Sequence, residues 1–186
     1  AANVAASLNI PFYIINFEEE FNSIIEYFCK EYLEGKTPNP CIVCNQKLKF
    51  GKLLRFARYL DASHVATGHY ARIERINERY VLKKGTDTRK DQSYVLFPLT
   101  QEQLAHALFP LGEFTKVEVR EMAVEMNLKT KDKPESQEIC FVTGKRYSDL
   151  IAEKAGSQIG TGLLKDTGGK FLGNHDGIHN FTIGQR

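Results

Sequence analysis

No apolar run in the 186-residue sequence is long enough to cross a bilayer. The longest, such as the eight positions from Ile10 to Phe17, falls far short of the roughly 20 residues a spanning helix needs. No charged-then-apolar leader with a small-residue cleavage site opens the chain, so a cytoplasmic protein with no membrane partner is expected. Net charge is scarce as well. With 25 Lys and Arg against 23 Asp and Glu, the chain carries only +2, which does not demand a nucleic-acid partner. A local basic face can still bind one, because distribution matters more than the total. Internal repeats and low-complexity tracts are missing. Cysteine is sparse, at Cys29, Cys41, Cys44 and Cys140, and in a reducing compartment these are thiols or metal ligands rather than permanent disulfides. A structural zinc site commonly uses two close ligand pairs. Only Cys41 and Cys44 form one, so a zinc ribbon is poorly supported.

What is present suits a soluble globular protein. A hydrophobic fraction of 42% and a charged fraction of 26% are ordinary values, and the length allows a core without covalent staples. The chain starts Ala-Ala-Asn without Met and stops at FTIGQR inside a strand-like pattern, so a fragment of a longer protein is expected.

The apolar spacing sets the elements. A helix is expected to reach Leu8, followed by a buried strand in FYIINF after Pro11. Phe21, Ile24, Ile25, Phe28 and Tyr32 then form one helical stripe ending near Gly35, with Cys29 as a buried thiol on that face. A second helix turns Phe50, Leu53, Leu54, Ala57 and Leu60 inward and carries Lys47, Lys49, Lys52, Arg55 and Arg58 on its other sides. SHVAT reads as a strand closed by Gly68 and His69. This order suggests a parallel sheet with crossover helices. YARIERI and RYVLKK flank a hairpin turn at Asn77 and Glu78. Thr100 with Gln103, and Thr115 with Glu118, announce two helices by capping boxes. A short helix from Tyr147 to Ala155 ends at Gly156, and a period of two with Gly-rich turns follows. The expected division is 1–145 for a nucleotide-binding domain and 146–186 for the start of a β-rich one.

TPNPCIVCN carries the sharpest chemistry. Pro38 and Pro40 bias Thr37 and Asn39 toward extended backbone, so the stretch is expected to be an exposed loop delivering Cys41 and Cys44 to the start of the lysine-rich helix. A first-turn Cys44 beside Lys47 would favour its thiolate. Cys41, Cys44 and Cys140 together could also hold an iron–sulfur cluster with one open iron. Gly68, placed after a strand, allows close approach of a ligand at the carboxyl end of a sheet. His64, His106, His175 and His179 read as surface or satisfied histidines. GTDTRKDQSY reads as a solvated turn, and Cys140, between Ile139 and Phe141, as a core thiol. None of these decides a function singly.

Taken in order they do. TPNPCIVCNQKLKF, VATGHYARI, KGTDTRKDQSYVLFPLTQEQL, FPLGEFTKVEVREMA, SQEICF and FTIGQR resemble the tRNA-specific 2-thiouridylases. The resemblance implies an α/β fold, a parallel-sheet PP-loop ATPase (adenine-nucleotide alpha-hydrolase-like) domain followed by the start of a small β domain. It implies an enzyme that uses ATP with Mg2+ to adenylate the wobble uridine of a tRNA, then places sulfur on C2. Cys140 matches the cysteine that takes persulfide sulfur from a carrier protein. Cys44 matches the second catalytic thiol, which releases the sulfur or forms a disulfide with Cys140. Gly68 matches an ATP-site residue and His69 a tRNA contact. Asn39, Pro40 and Cys41 match the strip beside the target base, and Lys90, Asp91 and Gln92 a tRNA-contacting turn.

Two departures stand out. Many family members have Asp where this chain has Cys41, which leaves open a persulfide route or a [4Fe-4S] cluster. The family's Ser-Gly-Gly phosphate loop does not occur in the sequence, so weak ATP binding is expected of this chain. Rival readings are a cluster-dependent tRNA thiolase acting on another base, and a non-catalytic zinc or RNA-binding module.

Overall fold

A computed structural model describes residues 1–128, 131, 139–142 and 144–185. Contacts group the chain into two units, Ala1–Glu18 with Cys41–Glu135 and Glu19–Pro40 with Ser136–Arg186. The helix preceding the cysteine pair groups with the C-terminal segment.

In the first unit, β1 (Val65–Ala66) pairs in parallel with β4 (Ala107–Leu108). The ladder continues through Val65 N–H to the His106 carbonyl at 2.9 Å and Thr67 N–H to the Leu108 carbonyl at 3.0 Å. A parallel pair needs a crossover. Here it contains the hairpin of β2 (Ala71–Ile76) and β3 (Arg79–Lys84) and helix α5 (Gln101–Ala105). Asn77 and Glu78 both have positive φ, 45° and 63°, as a two-residue turn matched to strand twist requires. Both expected capping boxes form, at Thr100 for α5 and Thr115 for α6 (Lys116–Glu125). Phe50, Leu54, Val65, Leu96, Leu104, Ala107 and Phe109 build the core.

Two expectations fail here. Residues 12–17 form no strand, and Ile14 is 89% exposed. An extended segment is a strand only when a neighbour takes its N–H and C=O groups, and none of the described residues does so. Leu60 is exposed rather than inward, since it lies past the end of α4 (Leu54–Tyr59).

In the second unit, α2 (Glu18–Leu33) packs Phe28, Cys29 and Tyr32 against Ile151 of α7 (Tyr147–Ala155). Cys29 is the buried thiol expected, and burial raises its pKa. Phe141 meets Phe28 edge-on at 5.4 Å. A hairpin of β5 (Gly162–Lys165) and β6 (Phe171–His175) follows. No helix among the described residues is long and apolar enough to cross a membrane.

Candidate functional site

The helix carrying the cysteines starts earlier than the prolines suggest. Pro40 is the first residue of α3 (Pro40–Val43), which continues into a wide-turned stretch (Cys44–Leu53) and then α4. Proline suits a first helical position because the N–H it lacks would be unpaired there anyway. Pro40 therefore begins the helix instead of holding a loop open, and Asn39 stands at the cap position. The expected exposed loop is corrected to a helix start. Cys41, exposed, occupies the first turn, and Cys44, half-buried, lies three residues further on. The end of the helix dipole therefore acts on Cys41 more than on Cys44.

The wide-turned stretch is held by amides. Asn45, buried, donates Nδ2–H to the Val95 carbonyl at 3.1 Å, and its Oδ1 has no hydrogen-bond partner among the described residues. Gln46 donates to the Pro98 carbonyl at 3.1 Å. Gln103 donates to the carbonyls of Gln46 at 2.8 Å and Phe50 at 3.0 Å. A side chain inserted into the ladder is a known cause of departure from α geometry. Gln103 was legible only as a capping residue, and Asn45 carried no signal in the sequence. Lys47, Lys52 and Arg55 lie exposed along this helix.

Gly68 follows β1 and is exposed. Its φ is not in the left-handed range, and a Cβ built there would meet only Leu111 Cδ1, at 3.6 Å. The fold itself does not require glycine at this place. His69 is buried, with Nδ1 2.7 Å from Thr67 Oγ1 and its ring against Phe109 at 5.8 Å. Burial, with Lys49 adding to it, lowers its pKa to about 4, so the imidazole is neutral at pH 7.

The turn after β3 is braced from within, not loosely solvated. Asp91 Oδ1 accepts from Gly85 N–H at 2.9 Å, and its Oδ2 accepts from the Ser93 hydroxyl at 2.8 Å. Burial pushes the Asp91 carboxyl up, and these hydrogen bonds outweigh it and hold the pKa below the usual range. Gln92 exchanges two bonds with Tyr70, the residue after His69: Gln92 N–H donates to the Tyr70 carbonyl at 2.8 Å, and Oε1 accepts from Tyr70 N–H at 3.1 Å. Asp87 accepts from Lys116 N–H at the start of α6, at 3.0 Å, and from Arg89 N–H at 3.1 Å. Those bonds hold its carboxyl below the usual range. The Gln92 side chain thus ties the turn to Tyr70, just before β2, and Asp91 closes it onto Gly85 and Ser93, while Arg89 is exposed and Lys90 half-buried.

Cys140 belongs to the second unit. Ile139 and Phe141 pack on its core, and Val142 N–H closes a turn onto the Ile139 carbonyl at 2.8 Å. That puts Cys140 near the tip, exposed, so the expectation of a core thiol is corrected. Ser136, Gln137 and Glu138 of the same motif lie outside the described residues. Within either unit, no three His, Cys, Asp or Glu side chains among the described residues gather to hold a metal. Cys41 and Cys44 supply two of the thiolates a cluster needs, and no further Cys, His, Asp or Glu among the described residues of their unit completes the set.

Residues 1–144 match the family described as tRNA methyl transferase HUP domain. The chain belongs to this family. HUP domains are α/β, of the PP-loop ATPase-like type, in keeping with the parallel pairing of β1 and β4. Among curated proteins, the chain is 53% identical to tRNA-specific 2-thiouridylase MnmA 1 of Thermoanaerobacter pseudethanolicus, with all of the chain and 52% of that protein covered. It is 52% identical to the MnmA of Moorella thermoacetica, covering 53% of it, and 55% identical to that of Geotalea uraniireducens, covering 50%. In each case the whole chain is aligned. The chain spans about half the length of the curated relatives it matches.

Proposed function

We propose that this HUP-domain chain is the thiolating part of a cytoplasmic tRNA sulfurtransferase that makes 2-thiouridine at the wobble position. The family descriptor speaks of methyl transfer, but the relatives compared carry the thiouridylase name. The observation that favours sulfur is the helix start at Pro40. It presents Cys41 and Cys44 in consecutive turns, followed by exposed Lys47, Lys52 and Arg55. Thiols near a helix N-terminus are biased toward thiolate, and cations on the same helix suit tRNA phosphates.

In this reading ATP with Mg2+ adenylates the C2 oxygen of the uridine, beside Gly68. There the exposed strand end leaves room for a ligand that a side chain would fill. A persulfide delivered by a sulfur-carrier protein to Cys140 supplies the sulfur, and Cys44 completes its release onto C2. Asn39, Pro40 and Cys41 lie beside the base. Lys90 contacts the tRNA from the turn that Asp91 and Gln92 hold in place, and His69, next to Gly68, is a further tRNA contact. A [4Fe-4S] cluster is not used in any step.

Nucleoside mass spectrometry of tRNA incubated with the full-length protein, ATP and a persulfide donor tests the reading. Wild type yields 2-thiouridine, and Cys44→Ala or Cys140→Ala yields none while remaining folded. Full activity of the Cys44→Ala protein overturns the assignment.

A further inference from the structure

We propose that Cys41 is the resolving thiol for Cys44, so that the disulfide left after sulfur release closes between successive turns at one helix start rather than between Cys44 and Cys140. The inference rests on the thiolation reading above and adds to it the fate of the spent cysteine. Its basis is positional. Pro40 fixes the helix start, so Cys41 lies in the first turn, exposed, and Cys44 follows three residues later. Residues three apart on a helix share a face with Cβ atoms about 5–6 Å apart. A disulfide needs about 3.5–4.5 Å, and a small movement of a first turn supplies that difference. First turns are where it is available, since their N–H groups are not tied into the helix ladder. Cys44 is the fixed member, because the next residue, Asn45, is buried and bonded to Val95. A Cys-x-x-Cys at a helix start is also among the arrangements that favour a thiolate.

The step balances as follows. The Cys44 thiolate first takes the outer sulfur of the Cys140 persulfide, and the Cys140 thiolate leaves; the terminal sulfur of the resulting Cys44 persulfide then bonds to uridine C2 as AMP leaves, giving a Cys44 Sγ–S–C2 linkage. The Cys41 thiolate, its proton already lost to solvent, attacks Cys44 Sγ. The Sγ–S bond breaks, and its electron pair stays on the sulfur attached to C2, which becomes the thiocarbonyl sulfur. The two cysteine sulfurs are together oxidised by two electrons, and the transferred sulfur is reduced by two. A dithiol reductant then reopens the Cys41–Cys44 disulfide for the next turnover.

Both cysteines lie in one tryptic peptide, Thr37 to Lys47, so the product state can be read directly. Full-length protein, loaded with persulfide and reacted once with tRNA and ATP without reductant, is quenched by alkylation, digested and weighed. The expected peptide is unalkylated and lighter by two hydrogen masses, with Cys140 alkylated. Cys41→Ser should slow formation of 2-thiouridine by at least about tenfold. A Cys44–Cys140 linkage with Cys41 alkylated, or an unchanged rate in Cys41→Ser, overturns the proposal. Should wild type make no 2-thiouridine, the thiolation reading fails. The pair is then judged by titration with oxidised dithiothreitol: closure of the Thr37–Lys47 peptide ahead of any other disulfide supports a redox pair, and its absence refutes one.

Discussion

The side-chain amide of Gln103 donates to the backbone carbonyl of Gln46 at 2.8 Å, inside the wide-turned helix that begins at Cys44. Its second hydrogen bond goes to the Phe50 carbonyl at 3.0 Å, and Oε1 accepts from Thr100 N–H at 3.0 Å. One half-buried side chain thus both caps α5 and braces the helix bearing the thiol. Gln103→Leu keeps the bulk but removes all three bonds, and should cost about 1–3 kcal/mol. Gln103→Glu preserves the acceptor at Thr100 yet faces two carbonyls with a carboxylate, so it should be no better. Urea unfolding of both variants checks this, and a loss below a few tenths of a kcal/mol would contradict the bracing role.

His69 predicts a specific pH dependence. The unfolded chain takes up a proton near pH 6.5 that the folded chain refuses until about pH 4, because burial and then Lys49 oppose the charge. The stability tied to neutral His69 is therefore complete above pH 6.5 and drains as the pH falls from there toward 4, by up to about 1.4 kcal/mol per pH unit. His69→Gln should flatten that part of the stability curve. Urea midpoints across pH 7.5 to 4.5, with the His69 C2 proton followed by NMR, give the answer. A ring that titrates near pH 6.5 would show that it is solvated.

Local signals carried much of the fold. Thr100, Thr115 and the Asn77–Glu78 turn were legible because capping and two-residue turns are decided by side chains a few positions apart. The apolar stripe through Phe28 and Tyr32 was legible from its period. Pro40 misled, because proline breaks a helix interior but begins a helix well, and only the following pattern tells which. The braces of the site were hidden for another reason. Asn45 to Val95 and Gln103 to Phe50 span 50 and 53 positions, and no local pattern announces which amide will meet which carbonyl.

Two glycines should respond in opposite ways. A Cβ at Gly112 would sit 1.8 Å from the Ala71 carbonyl oxygen and 2.9 Å from Arg72 Cγ, where the chain crosses the start of β2. Gly112→Ala must displace backbone and should cost several kcal/mol, on the order of the larger overpacking penalties of about 3 kcal/mol. Gly68→Ala has room, and should change stability by less than about 0.5 kcal/mol. In the full-length protein it should nevertheless weaken ATP binding measurably by calorimetry. Equal ATP affinity for wild type and Gly68→Ala would remove Gly68 from the nucleotide site.

The turn between β3 and Ser93 separates two roles that one motif combines. Lys90 is a cation on a braced turn, so in the full-length protein Lys90→Ala should weaken tRNA binding and lower the slope of log affinity against log salt by about one. Asp91 adds a negative charge of its own, yet it organises the turn by accepting from Gly85 N–H and from Ser93. Asp91→Ala removes a charge that repels phosphate, and electrostatics alone would predict tighter binding. The loss of its hydrogen bonds predicts the reverse, through a turn that no longer presents Lys90 in place. Since each bond to a charged group contributes about 1.5–3 kcal/mol, the bracing should win. Asp91→Ala should then bind tRNA more weakly, with faster amide exchange at Gly85 and Ser93. Filter binding across a salt series with hydrogen-exchange mass spectrometry reads both, and tighter binding by Asp91→Ala would show that its charge matters more than its bonds.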